Sequence, residues 1–370
     1  MWILDLQTGA TKRIALGYNP VFGANGHSLY FMGSGGLIKI ELGANGDRIG
    51  EPATILSSGL GASIGNPSLS ADAKKIVYSA TRILSTLWTL PVSPATFEAV
   101  GPPSAFLTDT SQRTNLPRFS PDGSKIALNR WRPGSSADIW VCDVDGRNLR
   151  QLTTNQATDS QPNWLPDGER IAFLSDRDNQ ETSFSIWAIS LSTGKEEKLL
   201  DLGEDAQFIQ LSPDGSHVAF NYMENDAINI WLTSLKDGSR RQLTFSHDLM
   251  GFPSWSPDGR QMSFEHQVGD DAFLMVMPSG GGQMTQLTSG PGKSWPHSWS
   301  ADGDKIVFAG ERDGVWNLYW ISLSSKVQKQ LTNYTTLNSF LRYPALSPQG
   351  NQIVYEHADI TGNIWLLELK

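Results

Sequence analysis

A turn tripeptide that returns at a regular interval constrains this chain more than any other feature. Pro121-Asp122-Gly123, Pro166-Asp167-Gly168, Pro213-Asp214-Gly215 and Pro257-Asp258-Gly259 are full copies. Ala24-Asn25-Gly26, Ala71-Asp72-Ala73, Ala301-Asp302-Gly303 and Pro348-Gln349-Gly350 are degenerate ones. Their middle residues, 25, 72, 122, 167, 214, 258, 302 and 349, lie 44 to 50 residues apart. A unit of that length cannot bury its apolar face alone and must stack on its neighbours.

The flanks of each turn repeat as well. After it comes a short run with large residues at i and i+2, such as Ile126-Ala127-Leu128, Ile171-Ala172-Phe173 or Ile353-Val354-Tyr355, which is strand periodicity. Before it sits Pro-x-aromatic-Ser, as in Pro117-Arg118-Phe119-Ser120, and proline at a strand start loses no ladder bond if its nitrogen faces away. A third strand carries Ile-Trp (139–140, 186–187, 230–231, 364–365), and a fourth carries Gln-Leu-Thr (151–153, 242–244, 286–288, 330–332). No window has a 3.6-residue apolar period with caps. Four short antiparallel strands per repeat predict an all-β chain built of propeller blades. Most of the 13 tryptophans fall at repeat positions and are expected in the core between sheets.

Eight repeats predict an eight-bladed β-propeller, with seven blades as the alternative. The expected organisation is a single domain over 1–370, closed by strand 12–16 pairing with the last blade, 343–369. Trp2–Leu6 also matches the third-strand pattern and is left over.

Composition excludes several classes. Lys+Arg 29 against Asp+Glu 38 gives a net charge of −9 with no basic run, so no nucleic-acid surface is expected. The single cysteine, Cys142, excludes an internal disulfide framework and a cysteine-rich metal cluster. No apolar run approaches the ~18 residues of a membrane span, so no membrane insertion is expected. The start, Met1-Trp2-Ile3-Leu4-Asp5, lacks a basic n-region and reads like the middle of a strand, as in a segment of a longer protein.

The phrases Phe119-Ser120-Pro121-Asp122-Gly123-Ser124-Lys125-Ile126-Ala127 and Trp255-Ser256-Pro257-Asp258-Gly259 resemble the WD40-like (PD40-type) repeats of TolB-type propellers. The same repeat occurs in tricorn-type and prolyl-oligopeptidase-type peptidases and at the C-terminal end of bacterial regulators. The resemblance spans residues ~20–370. It implies a binding or sensor propeller, a periplasmic or extracytoplasmic setting, and no reaction of its own. TolB itself has six repeats and an N-terminal domain, against eight repeats here.

Strand alternation puts the Pro-Asp-Gly turns on one face of a blade and the second-to-third and fourth-to-first connections on the other, the loop face. An aspartate in such a turn holds the turn itself. Candidate partner-binding residues are Arg118, Arg130, Trp131, Asp176, Arg177, Tyr222, Glu265, Glu311, Arg312 and Glu356; arginines beside acids also serve as local ion pairs that order loops. A protein or peptide partner and a monomeric state are expected, with no cofactor. The enzymatic alternative gathers His247, His266, His297 and His357 around a divalent ion such as manganese or calcium, as in oligogalacturonate lyases, which are propellers of similar repeat type. Gly61-Ala62-Ser63-Ile64-Gly65 matches a nucleophile elbow, but it precedes Asn66-Pro67 and a strand where the elbow needs a helix. A peptidase-gating propeller, its hydrolase domain encoded elsewhere in the parent gene, is the remaining alternative.

Overall fold

A computed structural model of the chain describes every residue other than 16, 34–35, 58–61, 110, 133–134, 179–182, 205, 225–226 and 370, and every other side chain except those of 2, 62–63, 204 and 296–297. The described residues form strands and turns, with no helix among them. They divide into two compact units, 85–359 and 1–84 with 360–370.

Six four-stranded antiparallel blades make up unit 85–359. Blade I is Arg113–Phe119, Lys125–Trp131, Asp138–Asp143 and Arg150–Gln151. Blade II is Asp159–Trp164, Arg170–Ser175, Ser183–Ser190 and Glu196–Glu204. Blade III is Ala206–Leu211, His217–Glu224, Ala227–Ser234 and Arg240–Gln242. Blade IV is Leu249–Trp255, Gln261–Val268, Asp271–Pro278 and Thr285–Gln286. Blade V is Lys293–Trp299, Lys305–Arg312, Val315–Ser322 and Gln328–Gln330. Blade VI is Ser339–Leu346, residues 352–359, residues 85–91 and Ser104–Leu107. Each first strand touches the next around the ring, and that of blade VI touches that of blade I. The ring closes on six blades.

This differs from the expected ring of eight closed by 12–16. Lys75–Pro91 and Gln352–Glu368 each run through the second and third strands of their repeat without reversing. The segment Ala80-Thr81-Arg82-Ile83-Leu84 has no glycine, proline, asparagine or aspartate to turn on. The second strand of the last repeat therefore takes residues 85–91 of the second repeat as its third strand. Val92 N–H donates to Asn351 O at 3.0 Å and Gln352 Nε2 to Thr89 Oγ1 at 2.8 Å.

In the other unit, Tyr18–Phe22, Ser28–Gly33, Gly36–Leu42 and Arg48–Ser57 form one sheet. Ala62–Leu69, residues 75–84 and 360–368 form a second. Thr11–Arg13 pairs with Trp2–Leu4, Lys12 opposite Ile3. The strand left over in the sequence thus finds its partner in the segment expected to close the last blade.

The repeated motifs have local causes. In Ser-Pro-Asp-Gly, Gly123 sits at φ 74°, where a Cβ would be strained. Asp122 accepts from Ser124 N–H, and Ser120 Oγ accepts from Lys125 N–H. The Ser120 and Ser124 hydroxyls and the Ser124 N–H hold the Asp122 carboxyl down at about 2; Asp214, bonded likewise by Ser212 and Ser216, is also near 2. In Gln-Leu-Thr, the threonine ends the ladder. The hydroxyls of Thr153, Thr244, Thr288 and Thr332 accept the N–H of Ile139, Ile230, Leu274 and Leu318 at 2.9–3.0 Å. Fully buried Phe173, Phe220, Phe264, Phe308 and Tyr355 occupy one position of successive second strands, each contributing about 1.5–3 kcal/mol of burial.

The indoles divide in two. Those of the first strands lock blade to blade: Trp164, Trp255 and Trp299 Nε1 donate to Arg118 O, Gln210 O and Ser254 O at 2.9–3.2 Å. Among those of the third strands, Trp140 and Trp187 are half-buried under cations, Arg130 lying 5.0 Å over Trp140 and Arg177 4.4 Å over Trp187, whereas Trp316 and Trp320 of blade V are buried. The expectation of core tryptophans holds for Trp299, Trp316 and Trp320, which are buried, whereas Trp140, Trp164, Trp187 and Trp255 are half-buried and Trp365, in the other unit, is 51% exposed.

Candidate axial binding site

Every first strand of the ring has a bulge in its second half, beside the Pro-x-aromatic segment where that segment is present. The register shifts between Asn115 and Arg118, Ser160 and Asn163, Gln207 and Gln210, Gly251 and Ser254, Pro296 and Ser298, and Arg342 and Ala345. At five of these bulges a residue takes left-handed φ: Leu116 at 52°, Gln161 at 59°, Phe208 at 51°, Phe252 at 54° and Tyr343 at 52°. A bulge re-aims its side chain. All five line one narrow axial cavity of about 20 Å³, room for little more than a water.

The cavity floor is polar and lies one step further along the same strands, at Arg118, Asn163, Gln210 and Ser254. These four also line a wider funnel on the turn face, of about 410 Å³, edged by Pro121, Pro166, Pro213, Pro257 and Pro348. Burial brings the Arg118 guanidinium down to about 10. With its amide carbonyl turned inward, Gln210 accepts from Arg118 Nε at 3.2 Å and Nη2 at 2.6 Å. Burial pushes the Tyr343 phenol up to about 12, Glu356 adding to the rise and Arg342, Arg113 and Arg118 opposing it.

Glu265 and Glu356 hold equivalent positions on second strands. Where blades I and III carry asparagine there, its side chain accepts an N–H from the next blade: Asn129 from Gln161 at 3.1 Å, Asn221 from Phe252 at 2.9 Å. Blade V offers Glu265 a proline at that point, Pro296, which has no N–H. Glu265 is 2% exposed, its Oε2 has no partner among the described residues, and burial raises its carboxyl to about 8 against a hydrogen bond from Trp295. Glu356 is fully buried; its Oε1 accepts from Ser85 Oγ and from Arg113 Nε and Nη2, the latter two at 3.2 Å.

The other candidates are spread around the loop face. Arg130 is buried, donating to Asp109 Oδ2 at 2.7 Å and Thr114 Oγ1 at 3.2 Å, and Trp131 lies under Arg113 at 5.0 Å. Arg177 binds both oxygens of buried Asp159, at 3.1 and 2.9 Å, and also Glu196. Asp176 accepts from Thr158 N–H at 2.7 Å, and Glu311 from Gly314 N–H at 2.6 Å. Arg312 ties Lys293 O, Glu311 O and Ser294 Oγ. These groups order loops. Tyr222 instead borders an open loop-face pocket of about 330 Å³ with Glu224, Trp231, Phe245 and His247.

His266 Nε2 meets Asp248 Oδ2 at 3.4 Å. His357 lies between the rings of Trp88 and Tyr334, at 5.0 and 5.1 Å, and burial lowers its pKa. His297 falls outside the described side chains, as does the Gly61–Ser63 part of the elbow-like motif. Among the described residues no three His, Cys, Asp or Glu side chains gather as for a metal ion. Burial pushes the Cys142 thiol up to about 12, away from nucleophilic thiolate chemistry.

The sequence reading named Arg118 but missed Leu116, Gln161, Phe208, Phe252 and Tyr343 beside it. Strand alternation is blind to a bulge. The only available signal was the recurrence of a bulky residue just before the Pro-x-aromatic segment.

Comparison with known proteins supports this architecture. The chain is 26% identical over 107 residues to the uncharacterized peptidase YuxL of Bacillus subtilis, covering 28% of this chain and 16% of that protein. It is 30% identical over 122 residues to the uncharacterized protein Atu1656 of Agrobacterium fabrum, 31% of this chain and 41% of the relative. The chain thus spans less than half the length of these relatives. Among solved structures, a putative TolB from Agrobacterium tumefaciens superposes with a TM-score of 0.61 at 18% identity, covering 75% of this chain and 98% of that one. TolB from Acinetobacter baumannii gives 0.58 at 17%, covering 86% and 78%. The family model for the TolB β-propeller domain, PD40, matches residues 104–207 and 208–367, and the chain belongs to that family.

Proposed function

We propose that this chain is a non-catalytic binding propeller that presents rigid loop-face surfaces to a protein or peptide partner. The observation that carries the reading is the contrast between its loops. Those of blades I, II and V spend their charged side chains on internal bonds, whereas blade III leaves Met223 46% and Phe245 76% exposed around the pocket of Tyr222, Trp231 and His247. An exposed aromatic beside a cleft on a rigid scaffold is what a hot spot needs. Over a short stretch of 46 residues, 12% of this chain and 10% of the relative, the sequence is 44% identical to the Tol-Pal system protein TolB of Anaeromyxobacter dehalogenans. That kinship supports a protein partner and an extracytoplasmic place.

The test is cross-linking in intact cells with the full chain. Partners recovered by the wild type should be lost with the double variant Met223→Asp, Phe245→Asp and kept with Arg260→Glu, a turn-face change. Equal recovery by the two variants would refute the loop-face reading.

One observation favours a second reading. The match to a relative named as a peptidase fits a propeller that gates a hydrolase, and a hydrolase domain in the same reading frame would establish it. A metal-dependent lyase has less support, since His357 is committed to aromatic contacts. Stoichiometric manganese or calcium in the purified protein would revive that reading.

A further inference from the structure

We propose that the loop-face cleft of blade III receives an arginine side chain of the partner, its guanidinium laid over Trp231 and paired with Glu224. The inference deepens the binding reading and rests on it, naming the side chain that the cleft of Tyr222 and Phe245 takes.

Neighbouring blades show what belongs at this position. In blades I, II, III and V a third-strand ring pairs with a buried second-strand residue: Trp140 with Leu128, Trp187 with Phe173, Trp231 with Phe220 and Tyr319 with Phe308. Three of these four rings lie under an arginine of their own blade. Arg130 stands 5.0 Å from Trp140, Arg177 4.4 Å from Trp187 and Arg312 5.7 Å from Tyr319, all within the reach of a cation over an aromatic face. Arg177 and Arg312 are each the fourth residue after the buried phenylalanine, and in blade III that place belongs to Glu224. The hairpins of blades III and V match in register, Glu224 pairing with Ala227 as Arg312 pairs with Val315. Among the described residues no cation lies over Trp231, and Glu224 has no ion pair. Blade III therefore keeps the aromatic seat, lacks the arginine, and carries the opposite charge where that arginine would be rooted.

The cleft has the walls for such a guest. Tyr222 meets Trp231 edge-on, ring centres 5.7 Å apart at 66°, and Phe245 lines the same space with its ring exposed. Three aromatic side chains and one acid, with no lysine or arginine among the described lining residues, favour a cation and oppose a carboxylate. At about 330 Å³ the cleft is at the small end of ligand sites, a size for one long side chain. Its wall is fixed in advance. The buried Asn229 side chain accepts from Ser246 N–H and Thr244 Oγ1 and donates to Ser246 O, each at 3.0 Å, so the segment carrying Phe245 and His247 needs little ordering on binding. Arginine suits the site better than lysine, because its planar guanidinium stacks on an indole, forks onto a carboxylate and is more weakly hydrated. The chain's net charge of −9 also draws a basic partner segment.

Fluorine NMR of the full chain labelled with 5-fluorotryptophan tests this, the Trp231 line being assigned by its loss in Trp231→Phe. The probes are acetyl-Leu-Arg-Leu-amide, the same peptide with lysine, citrulline or glutamate at its centre, and tetramethylammonium chloride, all at one ionic strength. The arginine peptide should shift the Trp231 line and bind at least about threefold tighter than the citrulline peptide, which has the shape without the charge. The lysine peptide should fall between them, and the glutamate peptide should bind most weakly. Glu224→Gln should shrink the arginine-to-citrulline ratio by up to about fivefold. Glu224→Arg, at an exposed position, should keep the melting temperature and abolish binding, its own guanidinium covering Trp231 as Arg312 covers Tyr319. Arginine and citrulline peptides that bind alike, a Trp231 line unmoved by the arginine peptide at tens of millimolar, or binding that survives Glu224→Arg overturns the proposal. Tetramethylammonium binding tighter than the arginine peptide would overturn it too, assigning the cleft to a small quaternary amine. Partner capture in cells that depends on Met223 and Phe245 but ignores Glu224→Arg would leave the loop-face reading standing while this one fails.

Discussion

Replacing Glu265 by glutamine should stabilise the protein, and by an amount that grows with pH. The carboxyl is buried, its Oε2 lacks a partner among the described residues, and burial raises its pKa to about 8 against an ordinary 4.5. A raised carboxyl pKa means that the folded chain holds a proton the unfolded chain releases. Stability is therefore full below about 4.5 and declines as pH rises towards 8. Each pH unit within that interval removes about 1.4 kcal/mol, so the loss reaches about 3 kcal/mol at pH 7 and about 5 once the group ionises. Glutamine keeps the shape and the acceptor for Trp295 and has no proton to lose. Urea midpoints of the wild type and Glu265→Gln at pH 5, 6, 7 and 8 give the comparison. The two should be nearly equal at pH 5, with the variant increasingly ahead above it. A difference that stays flat across the series would refute the account, because it would mean that Glu265 titrates alike in both states.

Three further outcomes follow from named contacts. Arg177→Met leaves Asp159 buried without its cation and should cost about 3–5 kcal/mol in urea unfolding at neutral pH, whereas Arg147→Met, which breaks the exposed pair with Asp145, should leave the urea midpoint nearly unchanged. Thr244→Val removes the acceptor for Ile230 N–H and should cost about 1–3 kcal/mol; a neutral result would show that water takes its place. Asp122 and Asp214, held near 2 against an ordinary 3.8, contribute turn stability above about pH 4 that is lost as pH falls through 2. The melting temperature should therefore drop between pH 4 and 2 more steeply in the wild type than in the double variant Asp122→Asn, Asp214→Asn, and parallel curves would contradict this.

Local chemistry was legible in the sequence, and closure was not. The Ser-Pro-Asp-Gly turn, the strand alternation and Gln-Leu-Thr are satisfied by neighbours within a few residues or one strand away, so composition and spacing reveal them. The arginines of the loops were readable for the same reason: Arg177 and Arg312 find partners inside their own blade. Closure depends instead on a choice between two equivalent strands. Leu87-Trp88-Thr89-Leu90 and Ile364-Trp365-Leu366-Leu367 carry nearly the same pattern, and either could lie beside residues 352–359. In the second repeat the chain has no turn residues on which to reverse after its second strand, and the last repeat runs on with it although Asp359, Gly362 and Asn363 lie there. In blade III the reversal is tight, Glu224 pairing with Ala227; between Ala80 and Leu84 nothing favours one, and the strand runs on. The axial cavity was hidden by a related cause. Period-2 reading assigns each residue to one face or the other, and a bulge adds a residue that belongs to neither. In a ring, those extra residues are the ones that point at the axis. The side chains that line the axis are therefore the ones that strand periodicity misassigns, and a bulky residue that breaks alternation at the same point of successive repeats is the signal to look for.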